Sequence, residues 1–512
     1  MLVHDLLHHS AQKYPQSMLL AQASGSFTYG DMSVEADGMC GLLMEQGLKK
    51  GERVGLLLRN SRLYVAAYYG SLKAGGVIVP LHAQSDARTI ERQLRHCGAR
   101  ALLLGPGLAA RVTPVLHRLA DLKILVMPEK DTGASSLRDG LQICAFEAAR
   151  SFAERARGAP SMDDLQAATI VYTSGSTGRA RGAVLTHLNL TENTRSIVSY
   201  LHLRHEDRVL VVLPFPYVYG KSLLNTHVCV GGSVVLHDSL VFPNSVLDAM
   251  QSAEVTGFSG VPSTYAMLLN RSDMSRRRFP ALRYVTQAGG PMPVPHLKRL
   301  REALPGVEIV VMYGATEASA RLAYLASTDL ARKMGSIGKA IPGVSLAVRR
   351  KDGSEADVGE VGELVARGRN IMKGYWRDPE ATSEVLDHHG FHTGDLGWKD
   401  EEGYFWITGR SREMIKSGAH RIAPGEIEEE LLEHSLVSEV AVVGIPDEFL
   451  GEAVVAFLTL REPDGSTEDE ILSFCRSRLP QHKIPRVVHI CADLPRNPNG
   501  KIDKRKLCAK SG

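Results

Sequence analysis

Short apolar runs, β-branched in part and bounded by glycine, proline or charge, recur along the chain. The clearest are Val54-Gly-Leu-Leu-Leu58, Val77-Ile-Val79, Ala101-Leu-Leu-Leu104, Ile124-Leu-Val126, Val209-Leu-Val-Val-Leu213, Val234-Val-Leu236 and Ile309-Val-Val-Met312. Runs with no polar alternation read as strands buried on both faces of a parallel sheet. Helix-length stretches such as Ser61 to Ala74 and Pro295 to Ala303 separate them. Strand and helix thus alternate at βαβ spacing, which predicts α/β layers. From about residue 345 to 408 the pattern changes to short strands with Gly-rich turns, predicting a small β unit. After Gly409-Arg410 it changes again: helix (426–433), strands (440–444 and 454–460), helix (468–479) and strand (486–490). The predicted architecture is therefore a large layered α/β domain with a small β unit, residues 1–409, followed by a small mobile α+β lid, residues 410–512.

Composition agrees with this division. At 512 residues the chain is too long for one core and implies about three structural units. Apolar residues make up 44% and charged residues 23%, which excludes a disordered or coiled-coil chain. Sixty Lys and Arg against 57 Asp and Glu leave a net charge of +3, too small a field to recruit nucleic acid. Seven cysteines, an odd number with no C-x-x-C pair, exclude a disulfide scaffold and a zinc ribbon. They fit a reducing, cytoplasmic setting. The start, Met1-Leu-Val-His-Asp-Leu-Leu-His-His-Ser10, places acid and histidine where a signal peptide needs a basic start. No apolar run approaches the roughly 20 residues of a membrane span. Residues 129–165 are more polar, with a basic helix-like piece from Arg150 to Arg157, and read as a surface connection.

The strongest chemical signal follows it: Val171-Tyr-Thr-Ser-Gly-Ser-Thr-Gly-Arg-Ala-Arg-Gly182, directly after a strand-like Ala168-Thr-Ile-Val171. Glycines and small hydroxyl residues after a strand offer backbone N–H groups and hydroxyls to phosphate oxygens. A G-x-x-x-x-G-K-[ST] phosphate loop is absent, because Ala180 and Ala183 occupy the residues five after Gly175 and Gly178. A G-x-S-x-G hydrolase elbow is absent as well.

Thr173-Ser-Gly-Ser-Thr-Gly-x-x-x-Gly182 resembles the phosphate loop of adenylate-forming enzymes: acyl-CoA synthetases, peptide-synthetase adenylation domains and luciferases. Further motifs of that superfamily follow in order across nearly the whole chain. They are Phe27-Thr-Tyr29, Leu72-Lys-Ala-Gly-Gly-Val-Ile-Val-Pro80, Tyr313-Gly-Ala-Thr-Glu317, Gly362-Glu-Leu364 through Gly374-Tyr375, Thr393-Gly-Asp395, Gly409-Arg410 and Asn499-Gly-Lys-Ile502. The resemblance implies activation of a small carboxylic acid with ATP and Mg2+ to acyl-AMP and pyrophosphate. Acyl transfer to CoA or to a carrier protein's phosphopantetheine arm would follow.

It also implies roles. Thr173, Ser174, Gly175, Ser176, Thr177, Gly178 and Arg181 would hold the departing phosphates. Glu317 would bind the magnesium ion, an oxygen ligand for a hard cation, and Thr316 would donate to the α-phosphate. Tyr313, with Gly314 and Ala315, would stack on adenine while Gly289 and Gly290 admit the base. Asp395 would accept from both ribose hydroxyls, Arg410 would contact ribose and phosphate, and Lys501 would bridge the acid and the α-phosphate. Arg412 falls at the hinge.

Departures narrow the function. The loop's usual Pro-Lys-Gly is Ala180-Arg-Gly182, which keeps charge but exchanges an ammonium for a guanidinium. Tyr217 stands where many acyl-CoA synthetases carry a gating histidine. Val218 stands where amino-acid-activating relatives carry the aspartate that binds the α-ammonium, so an α-amino acid is disfavoured. The acyl pocket would comprise Tyr217, Val218, Lys221, Gly260 and Gly289. Lys221 and Arg321 fall near segments that line the acyl pocket in relatives, where either would hold a second carboxylate or a polar head; they read instead as surface or structural charges. His388-His-x-x-His392 has no fourth ligand and reads as a solvated loop. Lys483, Arg486, Lys504 and Arg505 on the lid would suit the CoA 3′-phosphate or an acidic carrier helix, but read as ordinary surface charges. The alternatives are an amino-acid-activating domain and a luciferase-like oxygenase, which no residue here requires. A monomer or homodimer is expected, without nucleic acid.

Overall fold

In the computed structural model, every residue is described except 130–139, 175–179, 239, 411–412, 418–419, 448–449, 463–465, 498–499 and 510–512. The apolar runs are strands, and they fall into two large sheets. One has nine strands in the order 339–340, 323–325, 308–313, 284–287, 257–260, 208–211, 233–236, 18–22 and 25–28. Its five central members from 308–313 to 233–236 are parallel, joined by helical crossovers such as Val218–Val230, Pro262–Arg271 and Val294–Ala303. The other has eight strands in the order 374–375, 180–186, 167–174, 77–81, 53–57, 99–104, 124–127 and 142–145. Its strands from 167–174 to 142–145 are parallel. Val54, Leu56, Ile78, Val209 and Val234 are all fully buried, as runs without polar alternation require.

The helices Tyr29–Glu45 and Arg62–Lys73 pack together beside the sheets, and the start of the first explains one of the ordered motifs. Thr28 caps the first helix in a capping box with Asp31, which satisfies two otherwise unpaired backbone donors. Tyr29 is fully buried and its hydroxyl donates to the Gly232 carbonyl at 2.7 Å. Phe27-Thr-Tyr29 is thus an architectural motif. The 129–165 connection differs from the expected surface segment. Its Phe146–Gly158 helix is a 3-10 helix that buries Phe146, Ala149 and Ala156 in the core shared with Tyr29–Glu45.

The predicted β unit is a five-stranded antiparallel sheet of 344–349, 362–368, 390–399 and 386–387, with 405–410 paired on 390–399. His392 lies inside the 390–399 strand instead of a solvated loop, because its ring pairs with Glu363 at 2.9 Å and Asp387 at 3.2 Å. The last sheet takes 420–422, 415–417, 451–460 and 437–447, with 487–490 parallel to 451–460. It packs a separate core, including Ile427, Leu431, Val442, Ala456 and Ile471, against the helices Pro424–Leu432 and Glu468–Arg478. Lys483, Arg486, Lys504 and Arg505 each pair with an acid of this same region: Glu426, Asp447, Glu428 and Asp503.

Candidate active site

Three groups of side chains converge where the ends of the large sheets meet the β unit and the C-terminal segment. The first is built by strand register. Residues 390–399 and 405–410 form an antiparallel pair in which Asp395 stands opposite Arg410. Arg410 Nε donates to Asp395 Oδ1 at 2.9 Å. Tyr313, the last residue of strand 308–313, donates its hydroxyl to Asp395 Oδ2 at 2.5 Å. Burial and the adjacent Asp395 charge hold the Tyr313 phenol well above its ordinary pKa, so it stays a donor. Asp395 is buried with both oxygens occupied by donors, the arrangement a diol would replace. The chain leaves Tyr313 through Gly314, where an added Cβ would lie 2.0 Å from the Ala320 carbonyl oxygen. Only glycine permits that return, and it sets up the 3-10 turn Thr316–Ala318.

The second group surrounds Glu317. Its Oε1 accepts from the Tyr375 hydroxyl at 2.8 Å, and its carbonyl accepts from the Met372 N–H at 2.7 Å. Tyr375 in turn carries the Arg181 guanidinium 5.5 Å over its ring. Arg181 pairs with Glu384 at 3.2 Å, a contact an ammonium would not make together with stacking on the ring. Thr173 and Arg181 face each other across the antiparallel strands 167–174 and 180–186. Of the expected phosphate-loop residues, Gly175, Ser176, Thr177 and Gly178 lie outside the described residues, as does the hinge residue Arg412.

The third group is centred on Gly289, at the end of strand 284–287. Its φ is +93°, and a Cβ there would sit 2.9 Å from the Tyr217 hydroxyl and 3.5 Å from Lys501 Cε. Gly289 therefore keeps open the gap between these two side chains. The neighbouring Gly260 pairs with Gln287 in the next strand, and Gly290 lies against Pro262. Lys501 is held from below. Its N–H donates to Asn497 Oδ1 at 3.1 Å, and the Ser263 hydroxyl donates to the Gly500 carbonyl at 2.7 Å. Burial, and next the Arg410 charge, lower the Lys501 pKa to about 8, against pulls in the other direction from Asp395 and Glu413.

The structure thus brings Tyr313, Asp395, Arg410 and Lys501 together, and places Tyr217 and Gly289 beside them. Val218 follows Tyr217 into the buried helix Val218–Val230. Of the surface or structural charges expected at Lys221 and Arg321, neither is at the surface: each is only 2% exposed, Arg321 lying over the Tyr219 ring and against Met312. Residues not anticipated from the sequence are Glu384, Ser263, Glu413 and the hydroxyl of Tyr375. Only Tyr375 carried a signal, the Gly374-Tyr375 motif.

Gly289→Ala tests the gap directly. The positive φ alone costs about 1–2 kcal/mol for an L side chain, so the protein should remain folded. A methyl between Tyr217 and Lys501 is expected to lower acyl-AMP formation by about a hundredfold, since misplacement near 1 Å has that scale. Unchanged adenylation in a pyrophosphate-release assay would move the reacting atoms away from Gly289.

The layered fold, the buried Asp395 with both oxygens engaged and Lys501 reaching Gly289 fit an enzyme that binds a nucleotide. The chain belongs to the AMP-binding enzyme family, which residues 7–376 match, with residues 426–501 matching that family's C-terminal domain. It is an AMP-forming acid–thiol ligase, which activates a carboxylic acid with ATP as acyl-AMP and passes the acyl group to a thiol. The chain is 33% identical to the long-chain-fatty-acid–CoA ligase FadD13 of Mycobacterium tuberculosis, over 94% of this chain and 92% of that one. It is 31% identical to a feruloyl-CoA synthase of Amycolatopsis sp, over 98% and 97%. Its fold is similar to the crystal structure of the anthranilate CoA ligase AuaEII with anthranoyl-AMP, at TM-score 0.88 and 26% identity over 100% and 97% of the chains. Among the described residues no helix is long and apolar enough to cross a membrane.

Proposed function

We propose that the thiol is CoA, that Mg2+ accompanies ATP, and that the acid is not an α-amino acid. The observation that carries the site assignment is the approach of Lys501 Cε to Gly289, across from Tyr217 and beside the Asp395–Arg410 pair. In this reading Asp395 accepts from the ribose hydroxyls as Tyr313 and Arg410 yield to them. Arg410 and Lys501 then present positive charge to the α-phosphate, where negative charge accumulates during attack by the carboxylate. Lys501 also steers the attacking oxygen. Thr316 donates to the α-phosphate from its turn. Thr173 to Gly178 and Arg181 take the departing pyrophosphate.

Glu317 fits a hard cation: one oxygen is fixed by Tyr375, and the Arg181 charge stands behind that phenol. A magnesium ion there would neutralise phosphate charge. Val218 supports the exclusion of amino acids, because an α-ammonium against a buried valine is a cation without a partner, at a cost of several kcal/mol. Residues 1–409 and 410–512 are read as the two domains with Arg412 as the pivot, which lets Lys501 withdraw before the thiol enters.

The test is pyrophosphate release across a panel of aliphatic, aromatic and amino acids, with and without CoA. Acyl-AMP formation with non-amino acids, and thioester only when CoA is present, is the expected outcome. Selective exchange with one proteinogenic amino acid would overturn the reading of Val218. Thioester formation on a carrier protein but never on CoA would overturn the acceptor.

A further inference from the structure

Asp395 reaches its place through a break in the pairing of the β unit. Strand 362–368 runs antiparallel to 390–399 with Val365 opposite His392 and Glu363 opposite Leu396, so that Leu364 alone faces Thr393, Gly394 and Asp395. Such a bulge bends the strand, re-aims a side chain and leaves backbone donors outside the ladder. Side chains take these donors up. The Gly394 N–H donates to Glu363 Oε1 at 3.0 Å, and the Asp395 N–H donates to Thr393 Oγ1 at 3.1 Å. The Thr393 hydroxyl in turn donates to the Leu364 carbonyl at 2.8 Å.

The other Glu363 oxygen, Oε2, lies 2.9 Å from His392 Nδ1, and His392 Nε2 lies 3.2 Å from Asp387 Oδ1. Asp387 is fixed from its own side, since the same Oδ1 accepts from the N–H groups of His389 at 2.7 Å and Gly390 at 3.2 Å. These two carboxylates are the charges that face the ring, one from strand 362–368 and one from 386–387. Arg367, on the first strand, turns its guanidinium to the carbonyls of His388 and His389. A charged imidazole donates from both nitrogens and serves both acids. A neutral one keeps a single N–H and leaves one acid against a lone pair. Burial alone would lower the His392 pKa, but the bonds and charges of Glu363, and then of Asp387, raise it above the ordinary histidine value.

We propose that Glu363 and His392 are positioning residues for the nucleotide: together they hold the bulge that turns Asp395 toward the ribose hydroxyls. The proposal rests on the ligase reading above, in which Asp395 takes the diol. Glu363 closes the bulge by pinning Gly394, the residue before Asp395, and His392 ties the Glu363 carboxylate to Asp387. Because the folded His392 pKa is raised, this support is complete below the ordinary histidine value and is lost as pH rises through the raised one. Diol recognition should weaken over that window while the phosphate contacts stay as they are.

The experiment measures the dissociation constants of ATP and of 2′,3′-dideoxy-ATP for the full chain from about pH 5 to about pH 8, the range in which a histidine changes charge. Their ratio isolates the diol, because both nucleotides bring the same triphosphate. In the wild type the preference for ATP should be greatest at the acid end and fall by about tenfold toward the alkaline end, the scale of one hydrogen bond to a charged group. Glu363→Ala and His392→Gln should show the reduced preference at every pH. His392→Arg, whose guanidinium offers donors to both acids at any pH, should keep the preference high throughout. An unchanged preference in folded Glu363→Ala and His392→Gln would overturn the proposal. Equal weakening of both nucleotides would overturn it too, by making the pair general support for the β unit. Should Glu363→Ala fail to fold, the wild-type pH series decides, and a preference flat with pH removes His392 from the role. Acyl-AMP formation with no preference for the diol would leave the ligase reading and sink this one. Acyl-AMP formation from no acid of any kind would remove the ligase reading itself.

Discussion

Lys501→Ala is expected to lose acyl-AMP formation by several orders of magnitude while retaining thioester formation from synthetic acyl-AMP. The side chain reaches past Gly289 to the point where carboxylate and α-phosphate must meet. Loss of one charge that contacts the transition state costs about 3–4 kcal/mol, and the methyl of the introduced alanine cannot replace the steering of the acid. The loop itself should hold its place, because Ser263 grips the Gly500 carbonyl and Arg496 forks onto both oxygens of Glu439 at 2.7 Å. Pyrophosphate release and thioester assays on the same preparation separate the two steps. Equal loss in both would make Lys501 a docking residue. The pH profile gives a second check on the wild-type enzyme. A lysine depressed to about 8 carries its ammonium below that pH and loses it as pH rises through it. Adenylation kcat/KM, which reports the free enzyme, should therefore fall on the alkaline side of about 8. A profile flat to the ordinary lysine range would contradict the burial of Lys501 and its crowding by Arg410.

Asp395→Ala should have the next largest effect, seen mainly as a raised KM for ATP. It removes the acceptor for Tyr313 and the partner of Arg410. Arg410 is itself partly exposed, which discounts the ion pair, so the expected loss is on the order of 2–3 kcal/mol in ATP binding. Left without Asp395, the Arg410 charge should also push the neighbouring Lys501 further down, shifting the alkaline limb of the profile to lower pH. Asp395→Asn keeps an acceptor for the Tyr313 hydroxyl and should lose less than the alanine variant. An unchanged ATP KM in both variants would remove Asp395 from the nucleotide site.

The parts of the site that could be read along the chain are those where local chemistry leaves one solution. Uninterrupted apolar runs such as Ile309-Val-Val-Met312 have to be buried strands, and they are. Thr28 with Asp31 three residues later is a helix start by its own hydrogen bonds. Tyr313-Gly-Ala-Thr-Glu317 needs glycine at its second position, since the chain doubles back within van der Waals reach of Ala320. Asp395 and Arg410, fifteen residues apart, meet because two strands of the β unit pair antiparallel. Short alternating strands with glycine turns already suggested such a hairpin.

What a residue's neighbours in sequence do not determine is which distant elements close over it. Lys221 stands in Val218-Tyr-Gly-Lys-Ser-Leu-Leu-Asn225, where a lysine at one helical position equally suits a solvent-facing stripe. Only the packing of helix His187–Tyr200, with Asn193 and Thr194, and of strand Ala167–Ser174 over that face turns it into a buried amine. Arg321 is likewise settled by Met312 and Tyr219, contributed by two other elements. Tyr375 acquires its role because strand 374–375 adds to the edge of 180–186, bringing its phenol to Glu317 fifty-eight residues away in sequence. Helix and strand periodicity, caps and turn glycines are decided by interactions within a few residues, so the sequence alone determined the layered architecture and the order of the nucleotide motifs. Burial, and with it the charge state of Lys221 and Lys501, depends on desolvation by segments far along the chain, and that was decided only when the tertiary structure excluded water from them.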